Sequence, residues 1–227
     1  MAFNGVDIIA NYNKLKKYAA FTLAEVLMTL AIIGVIAALT IPALVKNTEK
    51  AQSRARAKEV YSIFSKALTM MHADDNLPDL VTGTDTDLRN KFCEYIKCIK
   101  TDRMINLFNS YYNWYENTGG GFDYTAHPAA NFPAAQLNNG MVALFDIDGT
   151  YNADTYGYFY VDTTGKNKPN MFGKDYLLFW IVKQNNNYML MPGGGNNDTW
   201  TCVAGSANFN TSSGCTVYYM DGRNLPE

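Results

Sequence analysis

Four cysteines, two histidines and a tight group of aspartates are the residue types in this chain most able to do chemistry, and their spacing limits what that chemistry can be. Cys202 and Cys215 bracket a segment containing Gly205, Ser212, Ser213 and Gly214. A disulfide closing a loop of that size is worth about 3 kcal/mol through the entropy it removes from the unfolded chain. Cys93 and Cys98 stand five residues apart. On a continuous helix their Cα atoms would be roughly 8–9 Å apart, beyond the bridging limit of about 7 Å, so either a helix ends between them or each pairs elsewhere. Neither pair has the short spacing of two intervening residues that zinc sites favour. Asp146, Asp148, Asn152 and Asp154 fall near the spacing of a twelve-residue Ca²⁺ loop, but the twelfth place is Gly157 where a bidentate Glu is needed, and the loop glycine is displaced. His72 and His127 have no Ser, Cys or carboxylate pattern around them and read as surface residues.

One further acid stands out by its surroundings. Glu25 opens a run, Val26 to Val45, of 20 residues without a charge. At about 1.5 Å per residue this helix would span roughly 30 Å, the hydrocarbon thickness of a bilayer. An acid there needs a partner. Ahead of it lies a polar leader, Met1 to Ala20, with Lys14, Lys16 and Lys17 against Asp7, ending in Ala19-Ala20. Secretory signals place their small-residue cut after the apolar region, whereas here it stands before. A cut between Ala20 and Phe21 would create an ammonium group four residues from Glu25. An ordinary single-pass anchor would explain the length of the run. It would gain nothing from Pro42, which deletes a backbone hydrogen bond near the far end.

The segment Ala20-Phe21-Thr22-Leu23-Ala24-Glu25, with Pro42 twenty-one residues beyond Phe21, resembles the cleavage and methylation signal of type IV prepilins and type II secretion pseudopilins. That family usually has Gly before the cut, where this chain has Ala20. The resemblance covers Lys14 to Leu44. It implies that a prepilin peptidase and methylase removes residues 1–20 and methylates Phe21. Glu25 and Pro42 then serve assembly with other pilin or pseudopilin subunits on an inner-membrane platform. It also implies a single-pass inner-membrane protein whose C-terminal domain is extracytoplasmic, an oxidising space in which four cysteines can pair. Some members of the family hold Ca²⁺ in a late loop, and Asp162 to Asp175 or Pro192 to Asp198 could supply oxygens, although solvated turns are the simpler reading and no cofactor is required. The string Val161 to Lys166 with Pro169-Asn170, Gly173 and Asp175 also resembles a loop-and-strand pattern of larger pilin-like proteins.

The remaining sequence fits one globular head. From residue 73 onward there are 10 Lys and Arg against 17 Asp and Glu, a formal −7. Such a domain lacks the clustered cations that phosphate contacts need, which argues against a nucleic-acid partner. Residues 46–58 are polar, rich in helix formers and free of Gly and Pro. From Val60 an apolar stripe follows at helical spacing through Ile63, Phe64, Ala67, Leu68 and Met71. One helix is therefore expected from about residue 21 to 72. Its first half, 21–45, would span the membrane, and 46–72 would continue it toward a head of residues 73–227. Ala73 to Asp85 reads as a loop. A second helix is expected over Leu88, Phe92, Tyr95, Ile96 and Ile99. Met104 to Tyr115 fits helix or strand, and residues 119–140 read as an irregular connection. Strands are expected at Met141–Ile147, Tyr156–Val161, Tyr176–Val182 and Asn187–Met191, joined as antiparallel hairpins, with one more in the tail from Cys202 to Tyr219.

The string Phe145-Asp146-Ile147-Asp148-Gly149-Thr150 resembles the nucleophile motif of haloacid dehalogenase-type phosphatases, which implies attack on phosphorus by Asp146, acid–base work by Asp148 and a Mg²⁺ ion. That fold sets the motif on the first strand of a parallel sheet and takes further ligands from later βα units. The residues after Thr150 read as hairpins, so a strand ending in an Asp-Gly turn is the better reading. The sequence thus points to an α+β, pilin-like chain, a long N-terminal helix packed on a small antiparallel β-sheet head, acting as a structural subunit with no catalytic site. The alternatives are a membrane-anchored phosphatase and an anchored extracytoplasmic binding module that does not polymerise.

Overall fold

The structure, a computed structural model, describes residues 21–75, 83–108, 114–115, 121–122, 131–147, 155–165, 173–184, 187–194, 202 and 213–225. The chain divides into two compact units, residues 1–48 and 49–227. Helix α1, Leu23–Ala73, contributes to both.

In the first unit α1 is apolar on every side. Leu27, Ile33 and Leu44 are all more than half exposed. This segment is long and apolar enough to cross a membrane. Its threonines do not leave hydroxyls unspent: Thr29 donates to the Val26 carbonyl and Thr40 to the Ile36 carbonyl, both at 2.9 Å. Such back-bonding lets a polar residue sit in hydrocarbon without an unsatisfied group. Pro42 lies inside the helix.

In the second unit α1 becomes amphipathic, as its residue spacing dictates. Ala57, Val60, Phe64, Ala67, Leu68 and Met71 are buried. Helix α2, Asp85–Tyr95, starts at a reciprocal cap in which Thr84 and Asp87 each bond the other's backbone N–H. The Thr84 hydroxyl, donating to Asp87 Oδ2 at 2.6 Å, and then the Thr84 N–H hold the Asp87 carboxyl below its ordinary range. Its buried residues, Leu88 and Phe92, join the same core.

Both helices lie on one face of a six-stranded sheet, β1 (Cys98–Arg103), β4 (Pro133–Leu137), β5 (Val142–Asp146), β6 (Thr155–Asp162), β7 (Tyr176–Gln184) and β8 (Asn187–Pro192), in that order and antiparallel throughout. A short helix α3, Met104–Phe108, follows β1, and β2 (Trp114–Tyr115) pairs with β3 (Gly121–Phe122) as a separate ribbon. The period-two alternation of the strands divides the sheet's residues. Phe145, Phe159, Val161, Leu177 and Phe179 face the helices, while Leu144, Tyr160, Leu178 and Trp180 form a second cluster with Met104 and Leu107. Phe64 stacks on Phe159 with centroids 4.2 Å apart and lies 5.3 Å from Phe92, so the α1 stripe, α2 and the sheet meet at aromatic rings.

Three local expectations change. The second helix stops at Tyr95, and Ile99 belongs to β1, because Cys93 and Cys98 are bonded with Cα atoms 5.4 Å apart, closer than a helix allows. The stretch read as irregular contains β4, whose Ala134 and Ala135 carry little strand preference and are held by pairing with β1 and β5. In the tail Ser213–Cys215 is a 3₁₀ turn and Thr216–Asp221 a helix, α4, in place of a strand, while residues 203–212 of the expected strand lie outside the described residues. The fold is α+β and pilin-like, a long N-terminal helix whose later turns pack against an antiparallel sheet.

Candidate functional site

The N-terminal segment begins at Phe21, which is 85% exposed; Ala20 and the leader lie outside the described residues. Thr22 caps α1, its carbonyl accepting from the Val26 N–H at 3.2 Å. The Thr22 hydroxyl accepts from the Glu25 N–H at 3.2 Å, and one Glu25 carboxylate oxygen accepts from both the Thr22 N–H and its hydroxyl at 3.0 Å. This is a capping box, and Thr-x-x-Glu is its sequence signature, which the reading of Glu25 as an acid awaiting an ammonium passed over. With the Ala20–Phe21 peptide bond intact there is no ammonium at Phe21, and the carboxylate turns to the donors left open at the helix start. Glu25 is therefore accommodated within its own first turn before any second chain is present.

This geometry, an acid seated in the first turn of an all-round apolar helix behind a basic leader, agrees with the comparison of the chain with protein families. Residues 15–41 match the family model of the prokaryotic N-terminal methylation motif. No curated protein and no solved structure matches the chain. The match supports a type IV prepilin-like signal, and with it a pilin- or pseudopilin-like precursor. One N-terminal apolar helix fits a single-pass membrane anchor.

The head holds the other residues singled out by type. Cys202 and Cys215 form a disulfide, Cα atoms 4.4 Å apart, with both residues buried. Cys215 precedes α4, whose Tyr219 donates to the Gly173 carbonyl at 2.9 Å, while Arg54 Nη2 of α1 donates to the Arg223 carbonyl at 3.0 Å. Burial, with the charge of Asp175, pushes the Tyr219 phenol well up, so it stays a donor across the physiological range.

Asp162 and Asp175, read from sequence as loop oxygens, are both buried. Asp162 Oδ1 accepts from the Thr164 and Gly165 N–H groups, each at 2.8 Å. The Thr164 hydroxyl lies 3.1 Å from that oxygen and 2.8 Å from Asp175 Oδ2, so its one proton is shared between the two carboxyls. Burial, and then the charge of Asp175, push the Asp162 carboxyl well above its ordinary range, and the Thr164 and Gly165 donors only partly offset this. The turn demands glycine at 165: φ is +62°, and a Cβ there would run into the Gly140 carbonyl oxygen. These acids tie one end of β6 to the start of β7. Among the described residues no three His, Cys, Asp or Glu come together as a metal site.

Asp146 closes β5, in the interior of an antiparallel sheet, and accepts a short hydrogen bond from the Tyr158 hydroxyl; the next residue's N–H donates to Asp85 Oδ1 at 2.8 Å. That is a strand end tied to its neighbours, not the first strand of a parallel sheet. Asp148, Asn152, Asp154, His127 and most of the stretch from Pro192 to Asp198 lie outside the described residues, while His72 is exposed at the end of α1.

Proposed function

We propose that this chain is the precursor of a pilin or pseudopilin subunit. Its leader, residues 1–20, is removed by a prepilin peptidase between Ala20 and Phe21, and Phe21 is N-methylated. Residues 21–45 hold the mature subunit in the inner membrane and then pack in the core of a type IV pilus or type II secretion pseudopilus. Residues 46–72 continue the helix, and 73–227 form an extracytoplasmic head. The observation that carries this reading is the methylation-motif match at residues 15–41, laid over a helix that is capped by Thr22 and has no buried residue in its apolar window.

Assembly follows from the chemistry of the cut. Cleavage turns the Phe21 amide into an ammonium, and a neighbouring copy can offer its own ammonium to Glu25. In lipid that pairing is worth more than at a wet surface, since the alternative leaves the ammonium without a counter-charge and Glu25 held only by the neutral donors of Thr22. Glu25 would leave Thr22 for this partner and so set the register between copies, while the inner-membrane assembly platform supplies subunits in order. Losing the backbone bond at Pro42 leaves the helix able to bend as it passes from lipid to fibre. Ca²⁺ in the loop between Asp162 and Asp175 is not required for any of these steps.

The test compares wild type with Glu25→Ala at matched membrane levels, by cross-linking and by shearing of cells. The variant is expected to insert and to be cut after Ala20, yet to be absent from fibres and cross-linked complexes. Equal incorporation of both chains would overturn the assembly role of Glu25.

A further inference from the structure

The apolar period of α2 does not stop where the helix does. Leu88, Phe92, Tyr95, Ile96 and Ile99 recur at helical spacing, yet Ile96 takes an extended backbone, φ −111° and ψ 147°, and Ile99 sits on β1 with 58% of its surface exposed. At that boundary stands the Cys93–Cys98 disulfide. Its Cα separation of 5.4 Å is about 3 Å shorter than five residues of helix would give, so an α2 that continued through Ile99 and this bond exclude each other. The irregularity that follows falls on β1. Cys98 pairs with Leu137 and Lys100 with Gln136, leaving Ile99 as the extra residue of a bulge. β1 is also an edge strand, held in the sheet by β4 on one side. The two disulfides differ in access. Cys93 and Cys98 are both half-buried, whereas Cys202 and Cys215 are buried.

We propose that the Cys93–Cys98 disulfide is a redox-operated switch of the α2–β1 junction. When it is opened, α2 grows by one turn through Ile99, Ile99 joins the stripe of Leu88 and Phe92, and Cys98 leaves Leu137, while Lys100 to Arg103 stay paired with β4. Growth gives the Lys97, Cys98 and Ile99 N–H groups helical acceptors at the Cys93, Glu94 and Tyr95 carbonyls. It gives up the Asn138 N–H to Lys97 carbonyl bond of 3.1 Å and the tight Cys98 N–H to Ile96 carbonyl contact of 2.9 Å. The reductant is a dithiol. One of its thiolates attacks a cysteine sulfur to form a mixed disulfide, and its second thiol resolves that bond. Two electrons and two protons pass to the protein, leaving two cysteine thiols, and the dithiol departs as a disulfide. The edge of the sheet is thereby shortened at β1 under reducing conditions.

The experiment uses the full-length chain in detergent micelles. Dithiothreitol is titrated in, mass mapping reports which bond opens, and backbone Cα chemical shifts report the conformation of residues 96–99. The Cys93→Ser/Cys98→Ser variant, with Cys202–Cys215 left oxidised, mimics the open state without reductant. The proposal expects Cys93–Cys98 to open first, and residues 96–99 to move from extended to helical shifts in both samples while the shifts of β5 to β7 stay in place. Extended shifts at 96–99 in either sample, earlier opening of Cys202–Cys215, or collapse of the whole head once the bond is gone would each overturn it, the last by making the disulfide a plain staple.

Discussion

Two stretches of the same helix, Val26 to Val45 and Ala57 to Met71, are both rich in large apolar residues, and they meet opposite fates. In the second, Phe64 and Met71 are sealed against α2 and the sheet; in the first, Leu27 and Leu44 stay more than half exposed among the described residues. The difference lies in pattern. An apolar stripe with polar residues opposite asks for a partner on one side, and the head's own sheet supplies it. A helix apolar all round asks for an apolar surrounding on every side, such as lipid or other helices. Folding of the head and, on the proposed reading, assembly are thus written into successive parts of one element.

That contrast can be broken most sharply by truncating one large side chain in each stretch. Phe64→Ala should destabilise the head by about 3–5 kcal/mol, a large share of what such a domain has, whereas Leu27→Ala should leave the head's denaturant midpoint unchanged. Equal effects would mean that the two stretches are not energetically separate. Next in size is the staple of the tail. Replacing Cys202 and Cys215 by Ser should cost the head about 3 kcal/mol, measured by denaturant unfolding, with no change in membrane insertion. Removing the cap of α2 by Thr84→Ala should cost about 1 kcal/mol in the same measurement.

The smallest effect is one of pH. The folded-state pKa of Asp162 is raised, so its contribution to stability is fully present below the unfolded carboxylate range, near about pH 4, and is lost as pH rises through the raised value. Asp162→Asn keeps an oxygen for the Thr164 and Gly165 N–H groups but removes the titration. Its unfolding free energy should hold steady where that of wild type declines with rising pH. Parallel curves would show that the pair does not carry this slope.

The parts of this structure that could be read from the sequence are those in which periodicity and burial agree. Phe145, Phe159 and Phe179 alternate with polar or opposite-face residues on three neighbouring strands, and the α1 stripe repeats at i, i+3 and i+4, so the core announced itself. Residues 133–137 did not, because two alanines after a proline become a strand only through pairing, with the β5 strand that follows and with β1, which lies well back in the chain. The end of α2 was signalled only by the cysteine spacing: its apolar period runs on to Ile99, while Cys93 and Cys98 can bond only if the helix ends between them. At the N-terminus Glu25 drew notice as an isolated acid, while the Thr22 three residues earlier, which gives it its place in the unprocessed chain, carries a local signal that is readable without any fold.

The central claim, that this helix begins life behind a leader and is freed at Phe21 for assembly, is tested most directly by the intact mass and N-terminal sequence of the chain isolated from membranes. A mature protein that starts at Phe21 and carries one added methyl group on its terminal nitrogen is the predicted result. A chain that still begins at Met1, or one cut after the apolar run beyond Val45, would contradict it.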